Sequence, residues 1–237
     1  NHSWIRSWEG KKTVLLEQTY GDKTDWEKHF QYLLNFFKDD RYLKINNKPA
    51  FMLFKPHFEE RDKYVKYLNK RCVECGFDGI EVIDTVEDID FKAKANSFVY
   101  LREPSCSMIA YRKSKGYLFK RIVNKIGKLS RSLSFKYVEI FDGDKMLKNV
   151  IDNDVDKKCI RGLCFEWDNT PRHGYRGYII TPPKKETFMA YMDSIQESEF
   201  LFINAWNEWC EGMILEPTEE NGYKYLRWLK EWSDNNE

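Results

Sequence analysis

The sequence predicts an α/β protein, and within that class a (β/α)8 barrel of the TIM type. Strand-like apolar runs alternate with amphipathic helical stripes, which calls for a parallel sheet with helical crossovers. Nearly every run ends on its C-terminal side in polar or charged groups, and in a barrel those ends converge on one face. The 237 residues suit one such core, so a single domain over 1–237 is expected.

The runs lie at 50–54 in KPAFMLFKP, 79–83 in FDGIEVID, 98–101 in SFVYLREPS, 163–167 in RGLCFEWDNTPR and 200–205 in FLFINA. DWEKHFQYLLNFFKD places Trp26, Phe30, Leu33, Leu34 and Phe37 on one stripe, with Asp25 as the expected N-cap. RDKYVKYLNKRCVEC and KKETFMAYMDSIQES carry similar stripes, and YKYLRWLKEW forms a last amphipathic helix. Only about five strands can be read, and a partial barrel would leave unpaired edges. The expectation is that about three first strands, and any signal segment, precede Asn1.

Lys plus Arg number 39 against 38 Asp plus Glu, a balance that argues against a protein built to grip nucleic acid. Six irregularly spaced cysteines do not resemble a secreted disulfide framework, so a cytoplasmic setting is expected. The lone CVEC pair at 72–75 reads as structural thiols rather than a metal or redox site. The histidines show no metal spacing, and there is no Gly-rich phosphate loop or GxSxG elbow, so neither metal nor cofactor is expected. His29 reads as a helix-surface residue. His57, two residues beyond a strand end, is the histidine placed to reach a site.

The chemistry concentrates in FLFINAWNEWCEGMILEP, residues 200–217. Glu208 and Glu211 would point to opposite faces of a regular strand but become neighbours, roughly 5–6 Å apart, on a helical turn that Gly212 permits. Paired carboxylates at such range serve glycosyl transfer to water or to another sugar. Trp206 and Trp209 offer stacking platforms and can desolvate one Glu, while Asn207 and Glu216 add hydrogen-bonding groups. The competing reading has Glu208 capping the following turn and Glu211 merely solvated.

EWDNTPR, residues 166–172, supplies Trp167, Asp168 and Arg172, suited to sugar hydroxyls or a phosphate; its plainer reading is an Asp168–Arg172 salt bridge stiffening a turn. WIRSWEG repeats the vocabulary with Trp4, Arg6, Trp8 and Glu9, and Glu103 closes the 98–101 run. All these residues are candidates for binding sugar.

Residues 111–136 hold nine Lys or Arg and no acid, and Leu118, Ile122, Ile126 and Leu129 share one helical face. Such a basic amphipathic helix can make peripheral contact with an anionic membrane or polymer. The plainer reading, a crossover helix packing its stripe on the barrel, is the preferred one.

WIRSWEGKKTVLLEQTYG, DWEKHFQYLLNFFKDDRYLKINNKPAFMLFKP, WDNTPRHG and FINAWNEWCEGMILEP followed by NGYKYL resemble, in order and spacing, the WbsX-like, glycoside hydrolase family 99-like family. The resemblance covers most of the chain and is weakest around 105–158, with 111–158 expected to be a basic insertion. It implies a (β/α)8 barrel and a glycosyltransferase role in bacterial surface polysaccharide such as O-antigen or capsule. The substrate would be an oligo- or polysaccharide, with a sugar nucleotide or lipid-linked glycan as further partner, at or near the inner membrane. In family 99 endo-mannosidases the matching motif is Glu-Trp-His-Glu-Gly, and here Cys210 replaces the His. By that similarity Glu211 would be the acid/base and Glu208 the base that helps the sugar's own 2-hydroxyl attack, giving retention. A retaining endo-glycosidase and a non-catalytic glycan-binding module of a larger synthase are the alternatives.

Overall fold

In the computed structural model, residues 3–6, 13–88, 90, 98–131, 138–153, 159–195 and 200–236 are described. They divide into two compact units, Asn1–Thr85 with Ala93–Tyr100, and Val86–Lys92 with Leu101–Glu237.

In the first unit β1 (Trp4–Arg6) pairs antiparallel with β2 (Thr13–Leu16). Helix α1 (Lys23–Phe37) begins one turn earlier than expected. Asp22, not Asp25, is its N-cap, accepting from the Thr24 and Asp25 amides at 2.7 and 3.3 Å. Asp25 reaches back to the Asp22 amide at 3.3 Å and closes a capping box. The apolar stripe starts at Trp26, after the helix has already run three residues, so it marks the core face and not the cap.

Strands β3 (Lys44–Ile45) and β4 (Lys48–Leu53) form a hairpin around Asn46 and Asn47, whose φ of 49° and 56° are left-handed values that asparagine tolerates. Helix α2 (Arg61–Glu74) then returns the chain to β5 (Glu81–Val86), parallel to β4 with Ala50 opposite Glu81. β6 (Phe98–Leu101) lies next in order. Trp26, Phe30 and Phe37 of α1 pack with Tyr64, Leu68 and Cys72 of α2 and with Ile80. Burial pushes the Cys72 thiol up to about 11.

The second unit continues with α3 (Ser105–Lys113), α4 (Leu118–Arg131), β7 (Glu139–Phe141), α5 (Gly143–Ile151), β8 (Cys159–Ile160) and β9 (Gly162–Leu163). β10 (Trp167–Asp168), α6 (Thr170–His173), β11 (Tyr178–Ile180), α7 (Lys185–Ser194) and β12 (Phe202–Ile203) follow. A hairpin of β13 (Asn207–Glu208) and β14 (Met213–Ile214) precedes the last helix, α8 (Lys224–Asn236). β11 lies between β10, antiparallel, and β7, parallel; β12 runs parallel to β9.

The single run expected at 163–167 is therefore two strands with different partners. The chain turns between them, with the Cys164 thiol donating to the Glu166 carbonyl at 3.4 Å. β7 was not anticipated because it holds a buried acid, Glu139, which accepts from Arg112 at 3.1 and 2.8 Å and from the Tyr117 hydroxyl at 2.5 Å. Gly143 opens α5 so close to the strand end that an added Cβ would stand 1.9 Å from the Thr181 carbonyl oxygen. Met108, Tyr111, Tyr117, Phe141, Met146 and Ile180 form the core of this layer. Elsewhere Phe165 stacks on Tyr225 of α8 at 4.3 Å.

Among its described side chains helix α4 does not pack its stripe; the Leu129 side chain lies outside them. Leu118, Phe119, Ile122 and Ile126 are each more than half exposed, Phe119 at 77%. No described helix is long and apolar enough to cross a membrane.

Candidate active site

The 200–217 motif folds as a strand, a loop and a hairpin. After β12 the chain returns on itself, with the Leu215 amide bonded to the Ala205 and Trp206 carbonyls at 3.0 Å each. β13 ends at Glu208, and a 3₁₀ turn over Trp209–Glu211 follows. Glu208 stands just before this turn, at the end of β13, and Glu211 closes it. Gly212 then adopts φ +60°, where a Cβ would meet Asp168 backbone atoms at 3.4 Å. The left-handed backbone is what calls for glycine here, and the turn lies against β10 at van der Waals distance.

This contact places Glu211 beside residues about forty positions earlier. The Trp167 indole N–H donates to Glu211 Oε2 at 3.0 Å, and Arg172 Nη1 donates to Oε1 at 2.8 Å. The Glu211 side chain is 18% exposed, so the ion pair is partly shielded and its geometry fixed by two donors. Glu208 is exposed and does not cap the turn that follows it.

The salt bridge considered between Asp168 and Arg172 is absent, because Arg172 turns to Glu211. Asp168 instead accepts from the Thr170 amide at 2.9 Å and its hydroxyl at 2.6 Å, which fixes the start of α6. Trp206 and Trp209 are 52% and 56% exposed, and the Trp209 indole donates to Glu216. They stand as open aromatic faces and do not bury a carboxylate. Asn207 and Cys210 are exposed beside them.

A cavity of about 680 Å³ adjoins this hairpin, with Trp167, Asp168, Trp209, Gly212 and Asn221 in its wall. Its wall also includes Glu166, a carboxyl the sequence reading passed over. Burial pushes Glu166 up from its ordinary value, and Asn221 donates to it at 3.0 Å. Neither Glu208 nor Glu211 belongs to that wall. The signal for Glu166 in the sequence was its place beside Trp167, but its hydrogen-bond partner Asn221 lies 55 residues on.

Glu103, in the same unit, has partners of its own. Glu103 is buried at the start of α3, accepting from the Ser107 hydroxyl at 2.7 Å, and burial raises its carboxyl to about 7. His57 is exposed in the first unit, after β4. Trp4 and Arg6 lie in β1 of that unit, and Trp8 and Glu9 fall outside the described residues. The first unit has its own cavity of about 400 Å³, walled by Trp26, His29, Phe51, Phe58 and Tyr64. There the exposed His29 ring shares a hydrogen bond of 2.7 Å with the Tyr64 hydroxyl.

Among solved structures, a glycoside hydrolase-like protein matches with a TM-score of 0.53 and 12% identity, over 94% of this chain and 63% of that one. The chain thus shares the α/β fold of that protein. It belongs to the family described as Glycosyltransferase WbsX, whose model matches residues 1–229. Two curated relatives, each named uncharacterized protein WxcX, come from two strains of Xanthomonas campestris pv. campestris. Each is 25% identical over 252 residues, which is 95% of this chain. The chain spans about a third of their length, 32%.

Proposed function

We propose that this chain is a carbohydrate-active enzyme acting at glycosidic bonds in the synthesis of a bacterial surface polysaccharide, by glycosyl transfer. Its fold would be the later part of a (β/α)8 barrel, with residues 111–158 an insertion. The observation that carries the reading is the Glu211 carboxylate held by Trp167 and Arg172, three residues after an exposed Glu208. Two carboxylates of different environment, one fixed and one open, are what acid and base roles at a glycosidic bond require. Trp167 and Trp209 in the adjoining cavity wall offer faces for sugar stacking, and Asp168 offers an acceptor for hydroxyls.

In this reading Glu208 meets the reacting sugar directly, as the base, while Glu211 is the acid/base. Arg172 keeps the Glu211 carboxylate in place until a substrate hydroxyl or leaving oxygen takes over one of its bonds. The substrate is an oligo- or polysaccharide, with a sugar nucleotide or lipid-linked glycan as donor or acceptor. The alternative of a retaining endo-hydrolase draws on the glycoside hydrolase-like fold.

The test is turnover of glycan by Glu208→Gln and Glu211→Gln, with folding checked by circular dichroism. Each change is expected to lower activity by about 100-fold or more. Undiminished turnover in both removes the reading. Product formed only when a sugar nucleotide is supplied establishes transfer, and product formed without one establishes hydrolysis.

A further inference from the structure

We propose that the outward face of α4 docks on an anionic membrane surface. The helix is turned opposite to an ordinary surface helix: part of its basic side is bonded to the protein and its apolar side faces out. Lys120 Nζ donates to the Ile140 carbonyl at 3.0 Å and Arg121 Nη2 to the Arg112 carbonyl at 2.5 Å. Leu118, Ile122 and Ile126 repeat at intervals of four, with Phe119 and Val123 beside them, and all five are exposed. At 1.5 Å per residue these positions form an apolar strip of roughly 12 Å along the axis. Five large apolar side chains in one strip on a soluble surface mark a place where something binds.

Charge decides what binds. Residues 111–131 contain eight Lys or Arg and no Asp or Glu. Arg112 and Lys113 are paired with Glu139, Asp88 and Asp90, but α4 itself carries five Lys or Arg and no acid, so two copies meeting through this face would set like charges against each other, which disfavours a dimer. A lipid surface rich in anionic headgroups offers both an apolar layer for Phe119, Ile122 and Ile126 and negative charge for exposed Lys115 and Lys125.

The experiment is co-sedimentation of the protein with vesicles of phosphatidylcholine alone, or with about one third phosphatidylglycerol. Binding to the anionic vesicles is expected to exceed binding to the neutral ones by about tenfold or more, and to weaken at high salt. The triple change Phe119→Ser, Ile122→Ser, Ile126→Ser is expected to remove roughly nine-tenths of it, and Lys115→Gln with Lys125→Gln to erase the preference for anionic lipid. Phe119→Ser alone, at the most exposed site, serves if the triple variant loses its circular dichroism spectrum. Absence of binding to anionic vesicles overturns the proposal, as does unchanged binding by the serine variants. A parent dimer that these variants dissociate, with no vesicle binding, overturns it in favour of a second copy. None of these readouts depends on turnover, so the outcome is independent of the roles given to Glu208 and Glu211.

Discussion

In the first unit α1 buries Trp26, Phe30 and Phe37 against α2, whereas in the second unit α4 leaves Leu118, Phe119, Ile122 and Ile126 in solvent. Both helices carry a clear apolar stripe. What differs is which edge the rest of the unit engages. The polar edge of α1 presents Glu27, which accepts from Arg71 at 2.9 Å and from Tyr67, both on α2, so its stripe and its polar edge meet the same neighbour. In α4 it is the basic edge, through Lys120 and Arg121, that is bonded to the rest of the unit. A stripe in sequence therefore announces a helix but leaves open which surface covers it.

The sharpest test of this contrast is truncation inside the packed helix. Phe30 is fully buried, and Phe30→Ala is expected to cost about 3–5 kcal/mol by denaturant unfolding. A loss below about 1 kcal/mol would mean α1 is not anchored as described.

The two units should also respond to pH in opposite senses. Burial raises the Glu103 carboxyl from 4.5 to about 7, so the folded second unit prefers it protonated. Its stabilising share is complete below pH 4.5 and is lost as pH rises through 7, an effect of roughly 3 kcal/mol. Glu103→Gln should flatten that slope, and an unchanged slope would assign it to another group. Glu27 in the first unit behaves conversely, because hydrogen bonds from Arg71 and then Tyr67 lower it from 4.5 to about 2. Its share is present above pH 4.5 and is lost as pH falls through 2. Solvent around this pair limits it to about 1 kcal/mol, and Glu27→Gln should cancel the acid-side loss in an unfolding series. The smallest effect is expected on the open stripe, where Phe119→Ser should leave stability within about 0.5 kcal/mol of the parent. A large loss there would break the contrast between the helices.

Features with a local period were legible in the sequence. The apolar run at 98–101 coincides with β6, and the stripes after Asp25 and Arg61 mark α1 and α2. Short strands set by partners were not legible: β7 and β11 have three residues each and owe their pairing to one another. Within the candidate site, Trp167, Arg172, Glu208 and Glu211 could be named from residue type and clustering. Their joining could not, since the bonds from Trp167 and Arg172 to Glu211 span 44 and 39 residues. Glu166 was missed for the same reason, its shift arising from burial that the sequence around it does not display. The direction in which α4 faces was equally out of reach, because periodicity fixes a stripe but not its azimuth.

Cys210 gives the hairpin a practical use. Of the six thiols it is the exposed one; four are buried and Cys75 is intermediate. It stands between Trp209 and Glu211, on the turn that follows Glu208. A thiol-reactive fluorophore should therefore attach there first and report, through its emission, when a glycan arrives beside the carboxylates. Protection of that thiol by added saccharide would chart which sugars the loop accepts, before any product has been identified.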